Sequence, residues 1–164
     1  MKLLWINVIS ILVSALGLAQ TNPGDWTSYG KNSLGWRYSE LTQIDTNTVH
    51  TLAAQWMYQT GVPGKNETTP LVLDRMMFMT GPSNTAWALD ALTGRPIWSY
   101  RSAPPQHLNI CCGPVNRGFA VLGDKLFKVN LEGTLLALDR KSGAVLWQAT
   151  LEDTKKATPL PLRR

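Results

Sequence analysis

The sequence predicts an all-β chain built from four-stranded units, a β-propeller. The first observation is a repeat. Ala88-Leu89-Asp90 with Gly94 and Trp98 returns as Ala137-Leu138-Asp139 with Gly143 and Trp147 at a constant offset of 49 residues. The offset also relates Leu73 to Leu122 and Phe78 to Phe127. A period near fifty means an array of similar supersecondary units. The second observation is that each unit reads as short apolar runs bounded by turn residues, the pattern of strands joined by hairpins. The third is that seven tryptophans occur in 164 residues, with Trp56, Trp98 and Trp147 each closing a unit. Four strands per unit and an aromatic anchor on the last describe a propeller blade.

Taken in order, the elements are as follows. Asp25-Trp26-Thr27-Ser28-Tyr29-Gly30 and Trp36-Arg37-Tyr38-Ser39 form a loop-rich lead-in over 20–54 that packs on the blades. Asp45-Thr46-Asn47-Thr48 can cap a short helix reaching about Ala54, with Val49, Leu52 and Ala53 on one face. Trp56, in Ala54-Gln55-Trp56-Met57-Tyr58, ends an earlier blade. The blade repeats occupy 55–153. Leu71–Leu73 and Met76–Met79 flank a tight Asp74-Arg75 link, and Phe119–Leu122 and Lys125–Val129 flank Gly123-Asp124, a good hairpin turn. Thr85–Leu89 and Thr134–Leu138 follow, each leading to an Asp whose side chain can bond turn N–H groups and a Gly able to take positive φ. The tryptophan-bearing strand comes last in each unit. Residues 154–164 read as the broken start of a further strand or as an out-of-frame ending.

At the N-terminus, Met1-Lys2 precedes an apolar run from Leu3 to Leu18 and a small-residue site at Gly17-Leu18-Ala19. This is the pattern of a secretory signal peptide, residues 1–19, cleaved after Ala19. The run is shorter than the ~20 residues of a membrane span, so no stable membrane anchor is expected. Export puts the mature chain in an oxidising compartment. Sixteen Lys and Arg against eleven Asp and Glu give a net charge of +5. The charges are dispersed along the chain, which argues against a nucleic-acid-binding face.

Both cysteines of the chain are adjacent, in Ile110-Cys111-Cys112-Gly113-Pro114-Val115-Asn116-Arg117. Their Cα atoms lie ~3.8 Å apart across a trans peptide, whereas an ordinary disulfide wants ~4.4 Å or more. A bond between them would close a small strained ring, the kind of strain held at functional sites. Two buried thiols acting as small hydrophobes are the alternative. Zinc is disfavoured, because no C-x-x-C or paired histidine accompanies them. Gly113 and Pro114 turn the backbone, and Arg117 supplies a cation five residues on. The stretch reads as the wall of a pocket for a planar anionic ligand.

Taken together, Asp25-Trp26-x-x-Tyr29-Gly30, Arg37-Tyr38-Ser39, the tryptophan-bearing repeats and Cys111-Cys112-Gly113-x-Val115-Asn116-Arg117 resemble the periplasmic quinoprotein alcohol dehydrogenases. These enzymes use pyrroloquinoline quinone (PQQ) and have eight blades, of which three blade ends are present here. The resemblance implies that Cys111 and Cys112 form a vicinal disulfide stacked on the quinone. It implies that Arg117 pairs with a cofactor carboxylate, and that Glu67, in Asn66-Glu67-Thr68-Thr69-Pro70, contacts the cofactor. It further implies a calcium or lanthanide ion acting as Lewis acid, an aspartate as general base, a primary alcohol as substrate and a periplasmic c-type cytochrome as electron acceptor. The metal ligands and the base come later in the family pattern than residue 164. The chain is thus expected to be the N-terminal part of such an enzyme and inactive alone. Two other classes share the repeats: non-catalytic periplasmic propellers that scaffold protein assembly, and PQQ-dependent sugar dehydrogenases. The first needs neither the cysteine pair nor Arg117, and the second generally lacks the pair.

Overall fold

A computed structural model describes residues 22–104, 106, 110 and 112–151. The signal peptide read over 1–19, the tail 154–164 and Cys111 lie outside the described residues. Eight strands form two sheets. The first contains β1 (Leu71–Leu73), β2 (Met76–Thr80), β3 (Ala86–Asp90) and β4 (Pro96–Tyr100), and the second β5 (Ala120–Leu122), β6 (Lys125–Val129), β7 (Thr134–Asp139) and β8 (Val145–Thr150). Each sheet is an antiparallel meander in sequence order, because every connection is short enough to be a hairpin.

The repeat is structural down to its irregularities. Ala88 pairs with Trp98 and Ala137 with Trp147, and a register shift follows at Ala88/Leu89 and again at Ala137/Leu138. The turns beyond also match. Asp90 Oδ1 accepts the Leu92 and Thr93 N–H groups and the Thr93 hydroxyl, and Asp139 Oδ1 accepts those of Lys141 and Ser142 and the Ser142 hydroxyl. These bonds, led by the hydroxyl in each case, hold both carboxyls below the usual carboxylate range.

The core lies between the two sheets. Leu71, Phe78, Ala86, Ala88 and Trp98 of the first meet Phe119, Leu126, Leu136 and Leu138 of the second in one buried cluster. Trp98 explains the tight fit. Its ring lies on Gly143, whose φ is +72°, and a Cβ there would stand 2.6 Å from the ring. Its Nε1–H donates to the Arg140 carbonyl at 2.9 Å. Trp56 repeats the contact one unit earlier, against Gly94 (φ +69°) and the Ala91 carbonyl at 3.1 Å. Trp147 is 43% exposed. The sequence reading of Trp56 as a blade end therefore holds for its docking, although no strand forms over 54–58. A strand needs a ladder partner, and none of the described strands pairs with that segment.

Arg140 closes the interface at the end of the sheets where these turns lie. It is buried, and its guanidinium donates to Asp74 of the β1–β2 turn at 2.7 Å and Asp124 of the β5–β6 turn at 3.3 Å. Burial works against its charge, but the two carboxylates more than offset this and its pKa is raised.

The lead-in departs from expectation in one element. The helix read from Asp45 to about Ala54 is a single 3-10 turn, Val49–Thr51, with no buried residue. Its intended apolar face, Val49 and Leu52, is exposed. A short helix is marginal without a packed face, and Asp45 spends its carboxylate on the Asn47 and Thr48 N–H groups before the turn. The lead-in does dock on the first sheet. Trp26 bridges Val72 on the free edge of β1 through two backbone bonds of 2.7 and 2.9 Å. Buried Asp25 accepts the Asp74 N–H at 3.2 Å.

Candidate functional site

In a four-stranded meander the segment before the first strand, the second hairpin loop and the segment after the last strand all come to one end of the sheet. That end carries Glu67 before β1, the β2–β3 loop with Ser83 and Asn84, Cys112 to Arg117 before β5, and the β6–β7 turn with Glu132. The turn aspartates and Arg140 sit at the opposite end. The site residues read from the sequence are thus separated from the structural carboxylates by the strand direction itself.

Glu67 and Arg117 are brought together. Their side chains stand 3.4 Å apart (Arg117 Nη2 to Glu67 Oε2), with Arg117 82% and Glu67 38% exposed. The contact follows from the backbone beneath it. The Thr69 N–H donates to the Arg117 carbonyl at 3.2 Å. Gly118, at φ +131°, packs so closely that a Cβ would stand 3.0 Å from the Thr69 carbonyl oxygen. Two residues before Thr69 and one before Gly118, the two charged side chains then face the same solvent. So exposed an ion pair stabilises the fold little. It leaves guanidinium donors open to solvent.

The loop leading to Arg117 is pinned elsewhere too. The Ser83 N–H donates to the Pro114 carbonyl at 2.9 Å, and Val115 N–H to Gly113 O at 2.8 Å. Asn116 donates Nδ2–H to the Val129 carbonyl at 2.8 Å and accepts the Gly118 N–H at 3.1 Å. Cys112 lies exposed on this loop. Because Cys111 is outside the described residues, its pairing with Cys112 belongs to the proposal below. Among the described residues, no group of three or more His, Cys, Asp and Glu side chains could hold a metal ion. No helix among them is long and apolar enough to cross a membrane.

A rigidly based, solvent-facing guanidinium beside a carboxylate, on a loop with an exposed cysteine, fits a polar ligand with carboxylate groups. Residues 26–128 match the PQQ family, described as the glucose/ethanol/alcohol dehydrogenase β-propeller domain.

The chain belongs to the PQQ β-propeller family.

Similar PQQ-family proteins include quinohemoprotein alcohol dehydrogenase ADH-IIG of Pseudomonas putida, 39% identical over 142 residues, which cover 85% of this chain and 20% of that protein. The 1-butanol dehydrogenase (cytochrome c) of Thauera butanivorans is 37% identical over 136 residues, 81% of this chain and 20% of the relative. Among solved structures, quinohemoprotein alcohol dehydrogenase ADHIIG of Pseudomonas putida HK5 superposes with a TM-score of 0.73 at 38% identity, over 80% of this chain and 19% of that one. A europium-containing methanol dehydrogenase gives 0.72 at 35%, over 80% and 24%. The chain spans about one fifth of the length of the curated relatives it matches. The relatives are alcohol dehydrogenases, which favours the alcohol reading over the scaffold and sugar readings.

Sequence reasoning missed two groups of this PQQ-family chain. One is the Arg140 clamp, whose three members are spread from residue 74 to residue 140. The other is a polar cluster of buried Asn84, Lys128 and Asn130 with half-buried Glu132. Lys128 shares the inward face of β6 with Leu126, but Phe127 and Val129 are apolar on the other face, so the sequence pattern gave no signal.

Proposed function

We propose that residues 20–164 form the N-terminal part of the propeller of a PQQ-dependent alcohol dehydrogenase, and that its cofactor-facing loops are those carrying Glu67, Cys111, Cys112 and Arg117. The observation that carries this reading is the 3.4 Å approach of Arg117 and Glu67 at the blade end that also bears Cys112. Arg117 binds a cofactor carboxylate through two parallel N–H donors, and Glu67 steadies the guanidinium and contacts the ligand's polar edge. Cys111 and Cys112, joined as a vicinal disulfide, present a rigid flat surface to its ring. The bound quinone supplies the hydride acceptor, and a calcium or lanthanide ion the Lewis acid. The roles of this chain are to bind, to orient and to exclude water from one face.

The substrate class is a primary alcohol and the electron acceptor a c-type cytochrome, in line with relatives named as alcohol dehydrogenases and as 1-butanol dehydrogenase (cytochrome c). The location is periplasmic, reached through cleavage of residues 1–19. Residues 20–164 by themselves bind the cofactor without oxidising alcohol, since the general base and the metal ligands come later in the family pattern. PQQ titration followed by tryptophan quenching tests the binding. R117A should weaken it at least about tenfold, the worth of a charged hydrogen bond, and E67Q less. Equal affinity in R117A would refute the assignment, and dye-linked alcohol oxidation by the chain with PQQ and Ca²⁺ would refute the inactivity.

A further inference from the structure

Lys128 is 2% exposed, in β6, with its ammonium turned inward. Nζ donates to the Asn84 carbonyl at 3.3 Å and to Asn130 Oδ1, and lies 5.2 Å from the centre of the Tyr100 ring on β4. The two asparagines in turn donate to the two oxygens of Glu132, at 2.7 and 3.0 Å. The Leu131 N–H donates to Asn84 Oδ1 at 2.8 Å. Among the described residues, the titratable groups facing the lysine are thus Glu132 from the β6–β7 turn and Tyr100 from β4. One network ties the β2–β3 loop of the first sheet to the end of β6 in the second.

The same two places anchor the Arg117 loop. Pro114 is held by Ser83, next to Asn84, and Asn116 is held by Val129, next to Lys128. We propose that Lys128 is a positioning residue: by bonding Asn84 across the blade interface it keeps both anchors in register, and so sets Arg117 against Glu67. The importance of that setting rests on the reading in which these two side chains hold the cofactor.

Fold stability alone gives no reason for a lysine here. Burial holds its pKa down at about 8, with Glu132 pulling the other way, so a charged Lys128 at neutral pH works against folding. An apolar side chain of the same length would fill the space without that penalty, but would leave the Asn84 carbonyl and Asn130 Oδ1 without this donor. What the lysine adds is a donor that reaches the opposite loop.

The two roles give opposite signatures in the variant K128M of the full 164-residue chain. A structural lysine would lower global stability and loosen everything together. With a positioning lysine the Val115 and Gly118 amides exchange hydrogen about tenfold faster than any shift of the urea midpoint accounts for, the loss of one net hydrogen bond's worth of local protection. Amides of β7 stay as slow as before. N116A, which cuts one anchor directly, should speed the same amides. Unchanged loop exchange in K128M overturns the proposal, as does loop exchange that rises only in step with a lower midpoint, or failure of K128M to fold. A parallel PQQ titration separates the two readings. A loosened loop in a chain that never binds PQQ refutes the cofactor assignment alone, and PQQ binding with an unmoved loop refutes the positioning role alone.

Discussion

Replacing Gly143 by alanine tests how the two blades are joined. Gly143 stands at φ +72°, and an added Cβ would lie 2.6 Å from the Trp98 ring. Two costs follow, of different origin. The left-handed conformation itself costs an L-residue about 1–2 kcal/mol. The contact is the larger one. An ordinary carbon–carbon contact needs about 3.5 Å or more, so Trp98 must retreat by roughly 1 Å. That stretches the 2.9 Å bond from its indole to the Arg140 carbonyl and opens the packing against Phe78, 6.2 Å away centre to centre. Overpacking of this kind costs about 1–3 kcal/mol, and a buried polar group left unpaired about 1–3 more. The expected total is about 3–8 kcal/mol, a large share of a domain stability of about 5–15 kcal/mol. Gly123 is the control. Its φ is +57°, but nothing lies within 4 Å of its would-be Cβ, so G123A should show the backbone term alone. Urea unfolding monitored by tryptophan fluorescence reads both. Equal losses in G143A and G123A would refute the steric account of the Trp98–Gly143 contact.

Two more expectations follow from the same packing. W98A should cost about 3–5 kcal/mol in urea unfolding, whereas W147A in this chain should cost well under half of that, because Trp147 is 43% exposed; similar losses would refute the role assigned to sheet-on-sheet burial. Lys128 gives a pH dependence whose sign is fixed. Its folded pKa is lowered from 10.5 to about 8, so the unfolded chain holds more protons between those values and stability rises with pH across that window. The parent should gain about 3 kcal/mol of unfolding free energy relative to K128M from pH 7 to pH 10.5, and a pH-independent difference would refute a buried charged lysine.

The repeat made the blades legible. An offset of 49 residues carries the strands, the Asp-to-Gly turn and the tryptophan together, because each is fixed by local chemistry: alternation for the strand, a short carboxylate for the turn, a missing Cβ for positive φ. Glu67, Cys112 and Arg117 gained their cofactor roles only through the family resemblance; what the structure adds is that Glu67, before β1, and Arg117, before β5, stand 3.4 Å apart. The lead-in was less so. Asp45 and Thr48 offer capping chemistry, but a helix of that length forms only against a partner, and sequence says nothing of the partner's absence. The same reason explains Trp56, which docks on Gly94 without a strand around it. Only the tertiary structure decided what crosses the interface. Arg140 meets Asp74 and Asp124, and Lys128 meets Asn84, across 16 to 66 residues of chain, through side chains that look solvent-bound in a linear reading. Burial and partnership are properties of where two sheets meet, and that meeting follows from the core as a whole, not from any window of the sequence.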